Sequence, residues 1–376
     1  MGINRIERAQ KIINETDLDA WLIFSSSGSD MHSSYLLGIG SHAPHCILID
    51  RDGEHMVLSG VMESPMFQKA IDTQQLGINV KVIKKFSDFG KNINEFIQNK
   101  KIALNYGENL FSPQGTRYAD YLRVGEYNEI KKWSPTTEFV SASSIIMKLR
   151  SILSEDDINI YRKAVNQTIK ILEKVPTVFE SGMTELELKA LIEYEILKIG
   201  KPSFESIVAT GKHSADPHHN SSSAKIENGV LLIDMGINIQ EIKSDITWTF
   251  WVGDNPHDDF LKAYNALYES KIAANKCMNV GDPINIPAVR CREVLERLGF
   301  DHHTLFMHSL GHPLSVGDIM GAKGRNDLVF KENMAYTVEP GLYWQGKFGI
   351  RLEDDILITK NGAEQLSYVP KEPIRI

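Results

Sequence analysis

Four acids and one histidine are spaced so that they could share a cation. Residues 230–233 (VLLI) form an apolar run that ends in Asp234, and Asp245 lies eleven residues later inside a second β-rich run, 244–250. If a hairpin turns near Ile239 and Gln240, the two aspartates face each other across an antiparallel pair, where opposed Cβ atoms lie about 4.5–5.5 Å apart. Two carboxylates that close repel one another unless a proton or a cation sits between them. The C-terminal region repeats the arrangement. Residues 334–338 are strand-like and end in Glu339, Glu353 follows fourteen residues later in another apolar run, and the midpoint, Gly346, is a natural turn residue. Acids at the ends of apolar strands are costly to bury unpaired, and four of them can neutralise two divalent cations. Hard oxygen donors with an imidazole suit Mn²⁺, Zn²⁺, Co²⁺ or Fe²⁺.

The imidazole comes from the segment HSLGHP, residues 308–313. It is not the HExxH helix of the common zinc proteases, because Ser309 stands where the glutamate is needed and Pro313 ends any helix. His312 is the better ligand candidate and His308 the better substrate-side candidate. A further segment, 206–219 (SIVATGKHSADPHH), precedes the first acidic strand, and its His218 could bind substrate or share a proton. Each piece taken alone also has a plainer reading: one buried and one exposed aspartate, an incidental histidine pair, a solvated histidine beside Asp216. The combination of four acids with one imidazole makes the metal reading strong.

The elements that must position these residues fall into two groups. Up to about residue 150, helical and strand patterns alternate as in an α/β unit. An amphipathic helix is predicted over 3–14 and strands over 21–24, 46–49, 55–58 and 101–104, with a turn at 50–53. His32, His42 and His45 are scattered there and read as surface or packing residues. A second unit is expected from about residue 151 to 376. Ser154 with Asp157 and Thr184 with Glu187 have capping-box spacing. The stripes Ile158, Val165, Ile169, Leu172 and Leu188, Leu191, Ile192, Ile196, Ile199 are predicted core faces, with Gly200 a C-terminal stop.

Composition sets the frame. The 376 residues are 42% hydrophobic and 24% charged with a net charge of −8, which disfavours general nucleic-acid binding. The N-terminal stretch carries charges throughout, unlike a signal peptide, and no run of about 18 apolar residues is present to span a membrane. Three widely spaced cysteines, Cys46, Cys277 and Cys291, argue for reduced thiols and a cytoplasmic location.

Together these segments resemble the pita-bread metallopeptidases: aminopeptidase P, Xaa-Pro dipeptidase and methionine aminopeptidase. The likeness is close from about 155 to 365, through FESIVATGKHSADPHH, LLIDMG, SDITWTFWVG, HSLGH, YTVEPGLY and GIRLEDDILIT, and all five ligand positions are matched in order. Residues 1–150 more loosely resemble the N-terminal domain of prolidases, aminopeptidase P and creatinase, which methionine aminopeptidases usually lack. The resemblance implies an α/β (α+β) chain: a creatinase-like N-terminal α/β domain, then a pita-bread domain over 151–376 with a pseudo-twofold antiparallel sheet flanked by helices. It implies that Asp234 chelates one metal, His312 and Glu339 the other, and that Asp245 and Glu353 bridge both. A hydroxide between two divalent ions, with Mn²⁺ foremost, would be the nucleophile. Glu339 would handle its proton, His218 and His308 would steady the scissile amide, and Arg351 would hold the Glu353 carboxylate or a substrate carboxylate. A small peptide substrate and a homodimer are likewise implied.

The match has departures. Family members often carry a second histidine seven residues after the metal-binding one, where this chain has Ile319; Pro313 and Ser315 replace two glycines of that motif, and Trp248 stands where arginine is frequent. Asp318 could take over proton handling if the loop shifts by one residue. The leading expectation is therefore a dinuclear metal-dependent peptidase of the Xaa-Pro dipeptidase or aminopeptidase P type. The alternatives are a same-fold hydrolase or lyase with a non-peptide substrate, and a non-catalytic binding relative.

Overall fold

A computed structural model describes residues 4–28, 30–109, 117–316, 320–321 and 328–376. Asp318 and Ile319 lie outside the described residues. The chain divides into two compact units, Met1–Ser151 and Ile152–Ile376.

The first unit is built on a six-stranded mixed sheet. Its strands are β1 (Ala20–Ser25), β2 (His45–Asp50), β3 (Met56–Gly60), β4 (Asn79–Ile83), β5 (Lys101–Leu104) and β6 (Glu138–Ser141), in the order β4-β3-β2-β1-β5-β6. β1 and β2 are wholly buried, as their unbroken apolar runs require. The helix Arg5–Asn14 buries Ile6, Ala9 and Ile13, one face at helical spacing. His32 and His45 are packing residues, both buried, with His32 bonded to the Tyr118 carbonyl. Cys46, Cys277 and Cys291 are all free thiols.

The second unit is built from two β-hairpins. In the first, β9 (Gly229–Met235) pairs antiparallel with β12 (Ile246–Val252), and the same register continues through β10 (Ile237–Ile239) and β11 (Ile242–Lys243). Gln240 and Glu241 close it, both at left-handed φ (53° and 64°), the requirement of a two-residue turn whose twist matches its strands. In the second, β13 (Ala335–Val338) pairs with β16 (Asp354–Thr359) and β14 (Gly341–Trp344) with β15 (Phe348–Arg351), again in one register. Its turn contains Gly346 at φ 75°, the residue picked out by spacing. The short β7 (Lys201–Pro202) pairs with β10, β8 (Ile207–Thr210) with β9, and β17 (Gly362–Gln365) with β16. The hairpins meet side by side, with the Glu353 N–H donating to the Thr247 carbonyl at 3.1 Å.

Helices flank these sheets. Both predicted capping boxes are formed, Ser154 with Asp157 at the start of Glu155–Val178 and Thr184 with Glu187 at the start of Glu185–Leu197. The second helix stops at Leu197, short of Gly200, whose backbone approaches the Asn238 carbonyl. The predicted stripes need correction at Leu191, which is 39% exposed, at Ile158 and Ile169, which are only half-buried, and at Ile199, half-buried and beyond the end of the helix. Among the described residues no helix is long and apolar enough to cross a membrane.

Candidate metal centre

The register of the two hairpins decides which acids can meet. Opposed residues of an antiparallel pair share a face, as do residues two apart along a strand. Asp234 stands opposite Thr247, so Asp234, Asp245 and Thr247 share one face, but the two aspartates are diagonal neighbours. Direct opposition, expected from a turn at Ile239–Gln240, fails because the left-handed pair is Gln240–Glu241, which moves the centre of the hairpin towards the C-terminus. In the second hairpin the midpoint at Gly346 holds. Val338 pairs with Asp354, and the Leu352 N–H donates to the Pro340 carbonyl, so Glu339 and Glu353 fall opposite one another.

His312 is brought in by a loop laid against β13. Its N–H donates to Thr337 Oγ1 at 3.1 Å, and Thr337 N donates to its carbonyl at 3.0 Å. Gly311 permits this approach, since a Cβ there would lie 2.1 Å from the Thr337 carbonyl oxygen. The His312 Nε2 lies 3.4 Å from Asp245 Oδ2 and 3.6 Å from Glu339 Oε1. Ligand atoms of Asp245, His312 and Glu353 all lie within 4.8 Å of one another. The five side chains line a cavity of about 540 Å³ together with Phe204, His218, His308 and Arg351.

The electrostatics are those of a site that wants positive charge. Burial pushes Asp234 up to about 7, an effect offset in part by Arg351 and reinforced by Asp245 and Glu339. Glu339 is likewise raised to about 7, chiefly by burial. Glu353 is held well above the carboxylate range by burial and by the Asp245, Glu339 and Asp234 charges. Burial works against a charged His312, yet the Asp245 and Glu339 carboxylates outweigh it and raise the ring to about 10. Among the described residues, two oxygens of the candidate ligands, Asp234 Oδ1 and Glu353 Oε1, are buried with no hydrogen-bond partner. Such atoms are costly unless an ion or a proton meets them, so the donor set of four carboxylates and one imidazole fits divalent cations.

A second layer of contacts orients these ligands, and much of it is not evident from spacing. Arg351, nearly fully buried, donates from Nη2 to Asp234 Oδ2 at 2.5 Å, from Nε to Thr247 Oγ1 at 3.1 Å, and from Nη1 to Tyr343 Oη and to the Pro217 carbonyl, each at 3.1 Å. Its carboxylate partner is thus Asp234 across the sheet, not Glu353. Glu353 is held instead by Thr247, whose hydroxyl donates to Oε2 at 2.6 Å. The Asp245 N–H donates to Asp355 Oδ2 at 3.0 Å. Thr247 had a signal in its position two residues after Asp245; Tyr343 and Asp355 had none.

The two substrate-side histidines differ. His308 Nδ1 lies 2.8 Å from the Ser309 carbonyl, which can only accept, so Nδ1 carries the proton and Nε2 accepts from Tyr343 Oη at 2.9 Å. Burial, helped by Arg351, drops this ring to about 3, so it is neutral. His218 is exposed on the cavity, its N–H donating to Asp216 Oδ1. Trp248, one of the departures from the family pattern, does not line the cavity. It lies on the opposite face of β12, buried against Phe250 and Tyr368, with its indole N–H on the Tyr368 carbonyl at 2.8 Å.

A model of metallopeptidase family M24 matches residues 159–360, and one of the creatinase/prolidase N-terminal domain matches residues 5–152. The chain is 32% identical over 333 residues to an uncharacterised peptidase of Methanocaldococcus jannaschii, covering 81% of this chain and 92% of that one. It is 30% identical over 376 residues to a Xaa-Pro dipeptidase of Pyrococcus horikoshii, covering 98% and 99%. Among solved structures, an X-Pro aminopeptidase from Thermotoga maritima superposes with a TM-score of 0.85 at 26% identity over 100% of both chains. A prolidase from Pyrococcus horikoshii superposes with a TM-score of 0.81 at 27% identity, covering 97% and 98%.

Proposed function

The chain belongs to metallopeptidase family M24, and from that premise we propose that it hydrolyses Xaa-Pro bonds in small peptides at a pair of divalent cations, Mn²⁺ foremost. The observation that carries the reading is the convergence of Asp245, His312 and Glu353 within ligand distance beside two partnerless buried oxygens, Asp234 Oδ1 and Glu353 Oε1. Asp234, Asp245, His312, Glu339 and Glu353 would hold the cations. When bound, the ions polarise the amide carbonyl and lower the pKa of a nearby water.

The remaining chemistry falls to the chain's own side chains. Glu339 receives the proton of the attacking water and delivers it to the departing proline nitrogen as the C–N bond breaks. Thr337 Oγ1 donates to Glu339 Oε1 at 3.2 Å, which leaves Oε2 on the side of His308, at 3.9 Å from its Nδ1. Both nitrogens of His308 are engaged within the protein, so its part is to hold Tyr343 and form the cavity wall. The substrate contact goes to His218, whose exposed ring can donate to the carbonyl oxygen as negative charge develops there. Arg351, with its guanidinium committed to four protein acceptors, fixes Asp234 and the Pro217 carbonyl next to His218.

The test is cleavage by protein loaded with Mn²⁺ of Xaa-Pro dipeptides, read as free proline, and of Xaa-Pro-Xaa tripeptides, read as release of the N-terminal residue. Release that a chelator abolishes and Mn²⁺ restores is expected. Protein that holds two metal ions yet cleaves the Xaa-Pro bond of none of these peptides would overturn the peptide reading in favour of another substrate.

A further inference from the structure

A second cluster of titratable groups lies behind the cavity wall. Glu185, the first residue of the helix Glu185–Leu197, has a wholly buried side chain. Its Oε1 accepts from Thr210 N at 2.9 Å and His213 Nδ1 at 2.8 Å. Its Oε2 accepts from His219 Nε2 at 2.9 Å, Ser222 N at 2.9 Å and Ser222 Oγ at 2.8 Å. The His213 and His219 rings stack at 4.5 Å. These residues are within ligand distance of one another. A carboxylate offers about four lone-pair sites, however, and five hydrogen donors already fill them, so this cluster is a fastening point and not an ion site. Burial works against the Glu185 charge, but these donors outweigh it and keep the carboxyl below its ordinary value.

All five donors lie in the stretch 210–222, at both its ends, and His218 sits between them. The middle of the stretch is tied from the other side by β15 and its turn. Gly349 N donates to Ser214 Oγ at 2.8 Å, Gln345 Nε2 to the Ala215 carbonyl at 2.9 Å, and Arg351 Nη1 to the Pro217 carbonyl at 3.1 Å. Removing either set of ties frees the backbone that carries the His218 ring. We propose that Glu185 is a positioning residue that acts through His218, clamping both ends of the 210–222 segment so that the imidazole is presented to the cavity. This inference rests on the role given to His218 above.

The test compares wild type, E185Q, H218A, the double variant and E187Q, all loaded with Mn²⁺, on one Xaa-Pro dipeptide. Glu185→Gln keeps the volume but turns an amide N–H₂ towards donors. It is expected to lower kcat by about 10–100-fold with metal content unchanged, the range for lost support behind a catalytic group. The double variant is expected to fall within about twofold of H218A, because the two residues act as one unit. Glu187→Gln loosens the same helix end through its cap on Thr184 but should lower Tm and leave kcat unchanged. Amide exchange at Thr210 and Ser222 should quicken at least tenfold in E185Q. If E185Q folds poorly, Ser222→Ala removes one tie at Oε2, the hydroxyl, and keeps the backbone N–H; it should give a smaller loss that again vanishes in the H218A background. Full turnover by E185Q, losses that multiply with H218A, or unchanged exchange at both amides would each overturn the inference. Wild-type proline release decides the peptidase reading separately. Were that to fail, the exchange measurement would still decide whether Glu185 fastens the segment.

Discussion

Loading the metal-free protein with cations should expel an unusual number of protons. At pH 7, Asp234 and Glu339, both near 7, are each about half protonated and the His312 ring holds a full proton, while burial raises Glu353 well above its ordinary value. Ligands must be deprotonated to coordinate, so filling the site at pH 7 should release about two protons from Asp234, Glu339 and His312 together, and the raised Glu353 adds to that number. With carboxyl groups and a histidine at their ordinary values the release would be less than about half a proton. The sign follows from linkage. Groups whose pKa is raised hold protons that the cation must displace, so affinity climbs with pH, and its logarithm rises with a slope equal to the number released. That slope should be at least about two near pH 7 and fall by about one by pH 8.5, where Asp234 and Glu339 have already ionised. Titration calorimetry of Mn²⁺ into metal-stripped protein, in buffers of different ionisation enthalpy at one pH, reads the number directly. Release of one proton or fewer at pH 7, or a number that grows with pH, would refute the electrostatic description of the site.

Other outcomes follow from the same contacts. Glu353→Gln should lower the bound metal content by elemental analysis and turnover by about 1000-fold or more, because a carboxylate that would hold the cations is lost. Thr247→Val removes the hydroxyl between Arg351 and Glu353 and should weaken Mn²⁺ binding by about 10–100-fold, measured by competition with a chelator. Lys271 and Asp354 form a fully buried ion pair beside Glu353; Lys271→Met should destabilise by about 3–5 kcal/mol in urea unfolding, and pairing it with Asp354→Leu should restore most of that. Trp248→Phe should leave kcat within about twofold while costing ~1 kcal/mol for the lost indole bond to Tyr368.

The strands and the acids at their ends were legible because an apolar run that closes on a carboxylate has few physical explanations. The Gly346 turn was legible for a related reason: one residue type both permits left-handed backbone and sits midway between Glu339 and Glu353. The Gln240–Glu241 turn was placed too early because neither residue advertises positive φ as glycine or asparagine would. Arg351 was expected to hold the carboxylate two positions away in the chain. In a pleated strand those residues share a face, but the guanidinium is long enough to reach Asp234 on the other hairpin, and no local spacing reports that. Trp248 takes the place of a frequent arginine in the motif, yet strand alternation already sends it to the face away from Asp245 and Thr247. Tyr343, Asp355 and Glu185 act through contacts between segments far apart in sequence, which periodicity does not encode.

The shared register of each hairpin makes the two turns into rulers. One extra residue between Gln240 and Glu241 would slide β12 by a single position against β9 and carry Asp245 and Thr247 to the side now held by Trp248 and Phe250. Two extra residues would keep the side and still separate Asp234 from its diagonal neighbour. Loops of this kind usually tolerate changes in length. Here they are expected to resist insertion and deletion as firmly as the ligands resist substitution, although no atom of either turn is placed in the chemistry.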